Sequence, residues 1–378
     1  MDVAALRALT PAVIGVLVHR GADFASAEDA VQEASVQAAT TWAEGAPADP
    51  KGWLVTVAWR KFLDAHRAEK ARRDREDRFA AQPEPDTVVG VDDTLQLFFL
   101  CAHPSLGPAA AVALTLRAVG GLSTRQIAEA YLVPEKTMAQ RISRAKRTVR
   151  DVRFDAPGDV RTVRRVLYLV FNEGYTGDVD LAAEAIRLTR QLATLSNDEE
   201  TAGLLALMLL HHARRSARTG TDGQLIPLAE QDRSRWDTTL IAEGVRILQA
   251  ALARDRLGEF QAQAAIAALH ADATRVEETD WVQIVEWYDE LLALTDSAVV
   301  RLNRAVAIGE ADGPVAGLAA LAEVDPAVPR HTAAAAYLHE RAGDLLVAAE
   351  LYAEAAEKAS SIPERHHLTM QAARIRAT

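Results

Sequence analysis

The chain has 378 residues, 49% of them hydrophobic and 25% charged, with 42 Lys and Arg against 53 Asp and Glu and a single cysteine. That balance excludes a disordered chain and a disulfide scaffold, and the length suits two or three domains. The net charge of −11 is unevenly shared: residues 1–153 hold 20 Lys and Arg against 19 Asp and Glu, whereas residues 154–378 hold 22 against 34.

In chain order, the first segment, MDVAALRALTPAVIGVLVHRG, lacks a basic leader and a cleavage site. No stretch is long and apolar enough to span a bilayer, so a cytoplasmic location and no membrane partner are expected. Helical spacing of apolar residues dominates throughout and alternating strand patterns are nearly absent, which predicts an all-α fold. Ala27 to Ala34 form an acidic amphipathic helix. After Trp42, the segment EGAPADPKG at 44–52 breaks the chain, because glycine and proline cannot continue a helix there. The next helix, WLVTVAWRKFLDAHRAEKARRDRE, places Trp53, Leu54, Val57, Ala58 and Leu63 on a core stripe. Its outer face carries Arg60, Lys61, Arg67, Lys70, Arg72, Arg73 and Arg75. Aromatics beside cations suit single-stranded nucleic acid, although Trp53 at helical spacing reads as core. Residues 80–93 form an acidic linker. Cys101, in the apolar run LQLFFLCAH, reads as a buried, idle thiol, and neither it nor His103 has metal-ligating company.

Residues 121–150, GLSTRQIAEAYLVPEKTMAQRISRAKRTVR, carry a helix-turn-helix pattern. Ser123 or Thr124 can cap the first helix by accepting from an orphan backbone N–H, and Ile127, Ala128 and Leu132 repeat at helical spacing. Pro134 bars simple continuation, so Val133 closes the turn and Glu135 opens a second helix. Met138, Ile142, Ala145 and Val149 form that helix's apolar face; Lys136, Gln140, Arg141, Arg144, Lys146 and Arg147 form the other. Such a helix suits a major groove, where Arg reads guanine, Gln reads adenine and other cations hold phosphates.

FDAPGD at 154–159 predicts the start of a long acidic helical region. Within it AAAYLHERAGDLLVAAELYAEAAEKA places Gly343, Leu345, Ala348, Tyr352 and Ala355 at the turn and packing positions of a tetratricopeptide (TPR) repeat. VVRLNRAVAIGEADGPVAGLAALAEV is a weaker copy, so TPR-like repeats are expected from about 281. Stacked pairs of that kind leave a concave face able to hold a peptide or protein. EQDRSRWD at 230–237 presents Asp232, Arg233, Arg235, Trp236 and Asp237, favouring an ion-paired corner over a ligand site. Asn172, Glu173 and Tyr175 of FNEGYTG pose the same choice between an interdomain junction and a site. His211 and His212 are adjacent and point to different helix faces, so they make no metal pair.

The order AEDAVQEA, DPKGWLVTVAWRKFLDAHRA, acidic linker and helix-turn-helix resembles the extracytoplasmic function (ECF) sigma factors of bacterial RNA polymerase over residues 1–153. The remainder resembles the ECF subgroup with a long C-terminal TPR-like extension, of which FNEGYTG and EQDRSRWD look like hallmarks. The resemblance implies four parts: region 2 at 1–79, a linker at 80–93, region 4 at 94–153 and the extension at 154–378. It implies that Asp29, Gln32 and Glu33 dock on the β′ clamp helices of core RNA polymerase, with region 4 at the β flap. Lys51, Trp59, Arg60, Lys61 and Arg67 would meet the −10 promoter element, although Trp59 and Arg60 stand where many members have asparagine. Arg125, Lys136, Thr137, Gln140, Arg141, Arg144 and Arg147 would read the −35 element. The implied function is promoter-specific initiation, with the extension regulating activity and with no enzymatic chemistry, cofactor or metal. The alternative is a TPR-containing DNA-binding regulator that is no polymerase subunit; an enzyme with a site around 171–177 and 230–237 ranks third.

Overall fold

The computed structural model describes residues 3–42, 45–73, 94–131, 133–154, 158–173, 175–176, 179–218, 220, 226–359 and 361–377. The expected linker at 80–93, Arg75 and Leu132 lie outside the described residues. The described chain is helical apart from a two-residue antiparallel pair, Tyr175–Thr176 with Val179–Asp180, so the fold is all-α as expected.

Two compact units divide the chain, Met1–Ser196 and Asn197–Thr378. The first contains α1 (Val3–His19), α2 (Phe24–Thr41), α3 (Pro50–Arg73), α4 (Thr94–Cys101), α5 (Pro108–Ala118), α6 (Thr124–Ala130), α7 (Glu135–Thr148), α8 (Val160–Glu173) and α9 (Leu181–Ser196). Asp23 caps α2 by accepting from Ser26 N, and Asp49 accepts from Gly52 N at the start of α3, just before Pro50. Val13, Ile14, Leu17, Leu54, Leu97, Phe98, Leu114 and Leu116 are buried in this unit. Gly121 has φ +66, and a Cβ there would lie 3.0 Å from Thr10 Oγ1, so only glycine lets the turn after α5 lie so close to α1. The compact division differs from the boundary expected at 153/154. FDAPGD interrupts the helices, but α8 and α9 pack on α4, and α8 also on α5, within the first unit.

The second unit contains α10 (Glu199–Ala213), α11 (Thr238–Leu252), α12 (Glu259–Asp272), α13 (Trp281–Thr295), α14 (Ala298–Ala311), α15 (Pro314–Leu321), α16 (His331–Ala342), α17 (Leu345–Lys358) and α18 (Ile362–Arg376). From α10 onward each helix packs on its successor. The apolar interior is a series of small clusters, such as Leu302, Ala305, Leu321, Val324, Ala334 and Leu338, then Ala336, Ala348, Tyr352, Ala355, Leu368 and Ile375. Gly343 turns between α16 and α17 at φ +86, a left-handed position that disfavours any residue with a Cβ. At the α14–α15 crossing a Cβ on Gly317 would lie 2.7 Å from the Cα of Gly309 and 3.0 Å from the Ala305 carbonyl. Backbone, rather than a movable side chain, blocks it. Gly317→Val should therefore destabilise the protein by about 1–3 kcal/mol, seen as a lower midpoint in chemical denaturation; a midpoint equal to wild type would contradict this close crossing.

Candidate nucleic-acid and polymerase interface

The helix-turn-helix is built as its residues predict. Ser123 Oγ accepts from Gln126 N at 3.2 Å while Gln126 Oε1 accepts from Ser123 N at 2.9 Å, a reciprocal capping box that fixes the start of α6. Pro134 stands at the N-cap of α7 with φ −58 and ψ 138, outside the helical region. Met138, Ile142, Ala145 and Val149 are buried and pin α7 against the unit. Lys136, Thr137, Gln140, Arg144 and Arg147 are exposed on the opposite side, and Arg141 is half-buried. Arg125, exposed on α6, donates to Glu129 at 2.7 Å.

Lys146 corrects the expected basic face. It is only 9% exposed, and its Nζ lies 2.5 Å from Glu28 Oε2 and 2.7 Å from Asp29 Oδ1 of α2. Glu28 is fully buried and its other oxygen lies 2.8 Å from Arg117 Nε of α5. Gln32 Nε2 donates to the Arg117 carbonyl at 3.2 Å. One buried carboxylate, two cations and an amide thus tie α2 to α5 and α7. A charge removed from water needs such partners, because left alone it loses its hydration without compensation. Asp29 and Gln32, two of the three expected docking residues, are engaged inside the unit; Glu33 is exposed and lies 3.4 Å from Lys61 Nζ of α3. A cleft of about 400 Å³ borders this junction, lined among others by Asp29, Thr124, Ser143, Lys146, Arg147 and Arg150.

Cys101 is buried nearby, and its thiol is pushed well up by burial and then by the Glu28 carboxylate, with Lys146 opposing. It stays protonated at physiological pH, consistent with an inert core residue.

On α3, Leu54, Val55 and Ala58 are buried, whereas Trp53, Val57 and Leu63 are half-buried. Trp53 packs edge-on to buried Trp42 with ring centroids 5.1 Å apart, so it serves the core. Half-buried Trp59 begins an aromatic ladder: Phe62 lies 5.1 Å from it and His66 5.8 Å further along. The Arg20 guanidinium lies 5.7 Å from the Trp59 ring centroid. Arg60 and Arg67 are exposed, Arg67 being 3.7 Å from Asp64, and Lys51 is half-buried. Phe62, His66 and Arg20 were not among the expected site residues. The spacing 59, 62, 66 is the signal that places three rings on one helical face.

Asn172 and Glu173 are exposed at the end of α8. Tyr175 belongs to the short strand that lies against α6. Tyr131, at the end of α6, has its hydroxyl pushed up by burial and by Glu173, with Arg141 opposing, so this segment borders the helix-turn-helix.

EQDRSRWD forms no ion-paired corner. Asp232 accepts from Ser234 N and Oγ, at 3.0 and 2.6 Å. Asp237 caps α11 by accepting from Thr239 N and Leu240 N. Neither carboxylate reaches an arginine, because both sit where a turn or helix start supplies unmet N–H groups. Arg233 instead donates to the carbonyls of His270 and Ala273 at 2.5 and 2.6 Å, at the carbonyl end of α12. Its guanidinium lies 4.8 Å from the centroid of buried Trp236, and Arg235 is exposed. Of the expected alternative enzyme site, 171–176 belong to the first compact unit and 230–237 to the second. Among the described residues no group of three or more His, Cys, Asp and Glu could hold a metal ion, and no helix is long and apolar enough to cross a membrane.

Family models match three stretches: Sigma-70 region 2 at 5–72, Sigma-70, region 4 at 99–149, and a family of unknown function (DUF6596) at 159–252. The "Uncharacterized protein R00370" of Rhizobium meliloti (strain 1021) is 40% identical over 347 residues, covering 83% of this chain and 81% of that protein. The "Probable ECF RNA polymerase sigma factor SigI" of Mycobacterium tuberculosis is 29% identical over 192 residues, covering 48% of this chain and 66% of that protein, in both strain CDC 1551 and strain H37Rv. No solved structure matches the chain significantly.

Because Glu28 has its charge neutralised by Arg117 and Lys146, Glu28→Ala should leave two cations without their buried counter-ion and destabilise the protein by about 3–5 kcal/mol. Urea denaturation measures this directly, and a loss below 1 kcal/mol would mean that the cluster behaves as a solvated surface pair.

Proposed function

We propose that the chain, which carries sigma-70 region 2 and region 4 domains, is an ECF sigma factor of RNA polymerase whose polymerase-docking helix is latched shut in the free protein. A sigma factor is a transcription initiation factor, so the chain is not an enzyme. In this reading α2 docks on the β′ clamp helices of core polymerase through Asp29, Gln32 and Glu33, and region 4 meets the β flap. The exposed face of α7 enters the major groove of the −35 element, with Gln140, Arg141 and Arg144 at base edges and Lys136, Thr137, Arg147 and the α6 residue Arg125 toward the backbone. The helix α3 opens the −10 element. Lys51, Arg60, Lys61 and Arg67 offer charge to the freed strand, and the Trp59, Phe62 and His66 ladder offers rings on which extruded bases stack.

The observation that carries the latch is the bonding of Asp29 and Gln32 to Lys146 and the Arg117 carbonyl. The Asp29 side chain is still 65% exposed, so the latch acts by competition: Lys146 and the Arg117 carbonyl already use the Asp29 oxygen and the Gln32 amide that the clamp would take. Core polymerase would then bind a minor open form, and its apparent affinity would fall with the population of that form. We assign the extension a part in setting that population, and its successive helices from about 281 a TPR-like groove for a peptide or protein.

Asp29→Lys together with Glu33→Lys should abolish co-purification with core polymerase; normal binding would end the docking assignment. Arg144→Ala should weaken binding to a −35 duplex by about 1–3 kcal/mol and relax preference at one base pair, read in gel-shift titrations against single-base variants. A chain ending at Ser196, which keeps α8 and α9 with the unit they pack in, should change promoter-dependent transcription in vitro several-fold. Equal transcription and equal core affinity would remove the extension from regulation.

A further inference from the structure

The second unit is rich in arginines, and several are paired: Arg254 with Glu199, Arg275 with Glu278, Arg304 with Asp289, Arg330 with Glu364 and Arg341 with Glu310. Another group gathers around one buried indole. Arg214, Arg218 and Arg233 have no carboxylate within ion-pair distance among the described residues, although they stand in the acidic part of the chain. Their positions are fixed by two short turns held side by side. Ser216 Oγ donates to the Arg235 carbonyl at 2.6 Å and Asp237 N donates to the Ala213 carbonyl at 2.9 Å. Between the turns lies Trp236, 5% exposed, with the guanidiniums of Arg214 and Arg233 at 5.8 and 4.8 Å from its ring centroid.

The unmet buried groups of this turn are mostly donors, Gln231 Oε1 being the acceptor among them. Arg233 Nη2 and Trp236 Nε1 are buried donors without an acceptor, although buried donors in folded proteins are nearly always satisfied. His211 Nδ1 takes a hydrogen bond from Arg214 Nη2 at 2.9 Å. Guanidinium nitrogens only donate, so the imidazole is neutral and carries its proton on Nε2. Burial and then Arg214 and Arg218 lower the His211 pKa to about 3, and burial followed by Arg214 and Arg233 lowers that of His270 to about 4. Burial, then Arg218 and Arg233, lowers Arg214 itself to about 10. Glu277 and Glu278 offset part of the Arg233 charge from beyond ion-pair distance, and both aspartates of the turn are engaged elsewhere, so cations brought together with buried donors unfilled call for an acceptor-rich anion.

We propose that Arg214, Arg218 and Arg233, with the indole N–H of Trp236, form a binding site for a phosphate group in the C-terminal unit. Guanidinium forks match phosphate oxygens bidentately, and a phosphate dianion compensates more of the clustered charge than a carboxylate. The site is independent of promoter recognition, so its test needs neither polymerase nor DNA.

Thermal unfolding of the full chain is followed in inorganic phosphate and in chloride at matched ionic strength. Wild type should show a saturable rise in Tm of about 2–4 °C with phosphate. Arg218→Met, at an exposed position that leaves the buried packing intact, and Arg214→Met should each lose most of that rise. Arg301→Met, which removes an arginine paired with Asp296, should keep it. A rise of equal size in wild type and Arg218→Met, or no saturable rise in wild type, would overturn the site. Acetate at the same ionic strength should give a several-fold smaller rise, and acetate matching phosphate would overturn the assignment of a phosphate ligand.

Discussion

The buried carboxylate of Glu28 is the interaction on which the N-terminal unit depends. With no access to water, it lies between Arg117 on one side and Lys146 on the other. Its neighbours follow from it: Lys146 has a second oxygen to satisfy at Asp29, and the Arg117 backbone takes the amide of Gln32. Buried ion clusters contribute little net stability compared with an apolar replacement, but they discriminate strongly between partner surfaces, since each member is costly to leave alone. That property suits a junction meant to separate only when another surface can supply equivalent partners.

The helix faces assigned under the proposed function to polymerase and DNA are in part turned toward each other, at α2 and α7. On α7, Lys136, Gln140 and Arg144 are exposed, while Arg147 lines the cleft beside the α2 junction. Under the proposed function, duplex recognition and polymerase docking are constrained differently: most of the α7 face is displayed, whereas Asp29 and Gln32 are already bonded in the α2 junction. The C-terminal unit has the opposite electrostatic character, acidic in sum and yet with a cationic cluster at its 213–237 turns. A ligand there and a latch in the first unit are two separate places at which activity can be set.

Much of this was legible in the sequence. Ser123 and Gln126 stand at the spacing a capping box needs, Pro134 stops the turn, and the buried face Met138, Ile142 and Ala145 follows from helical periodicity. Lys146 was misplaced because charge was allowed to override position. It lies only about 40° around the helix from Ile142, at the edge of the apolar stripe, where a long side chain can turn inward. Glu28 is the same case on α2: an acidic helix does not announce which of its acids faces a partner 89 residues away. EQDRSRWD misled for another reason, since adjacent opposite charges suggest pairing while the local backbone had prior claim on both aspartates. FDAPGD marked a real interruption between helices, but proline and glycine punctuate turns, and only tertiary packing decides that α8 and α9 remain with the first unit.

The central claim, that α2 and α7 are joined in the free protein and part when polymerase is bound, is tested most directly by a distance. Spin labels at Gln37 of α2 and Ser143 of α7, both exposed positions, report that separation by pulsed electron paramagnetic resonance, with Cys101 buried and unreactive. The account predicts one short distance in the free chain and a clearly longer one in the complex with core polymerase. The same short distance in an active complex would contradict it.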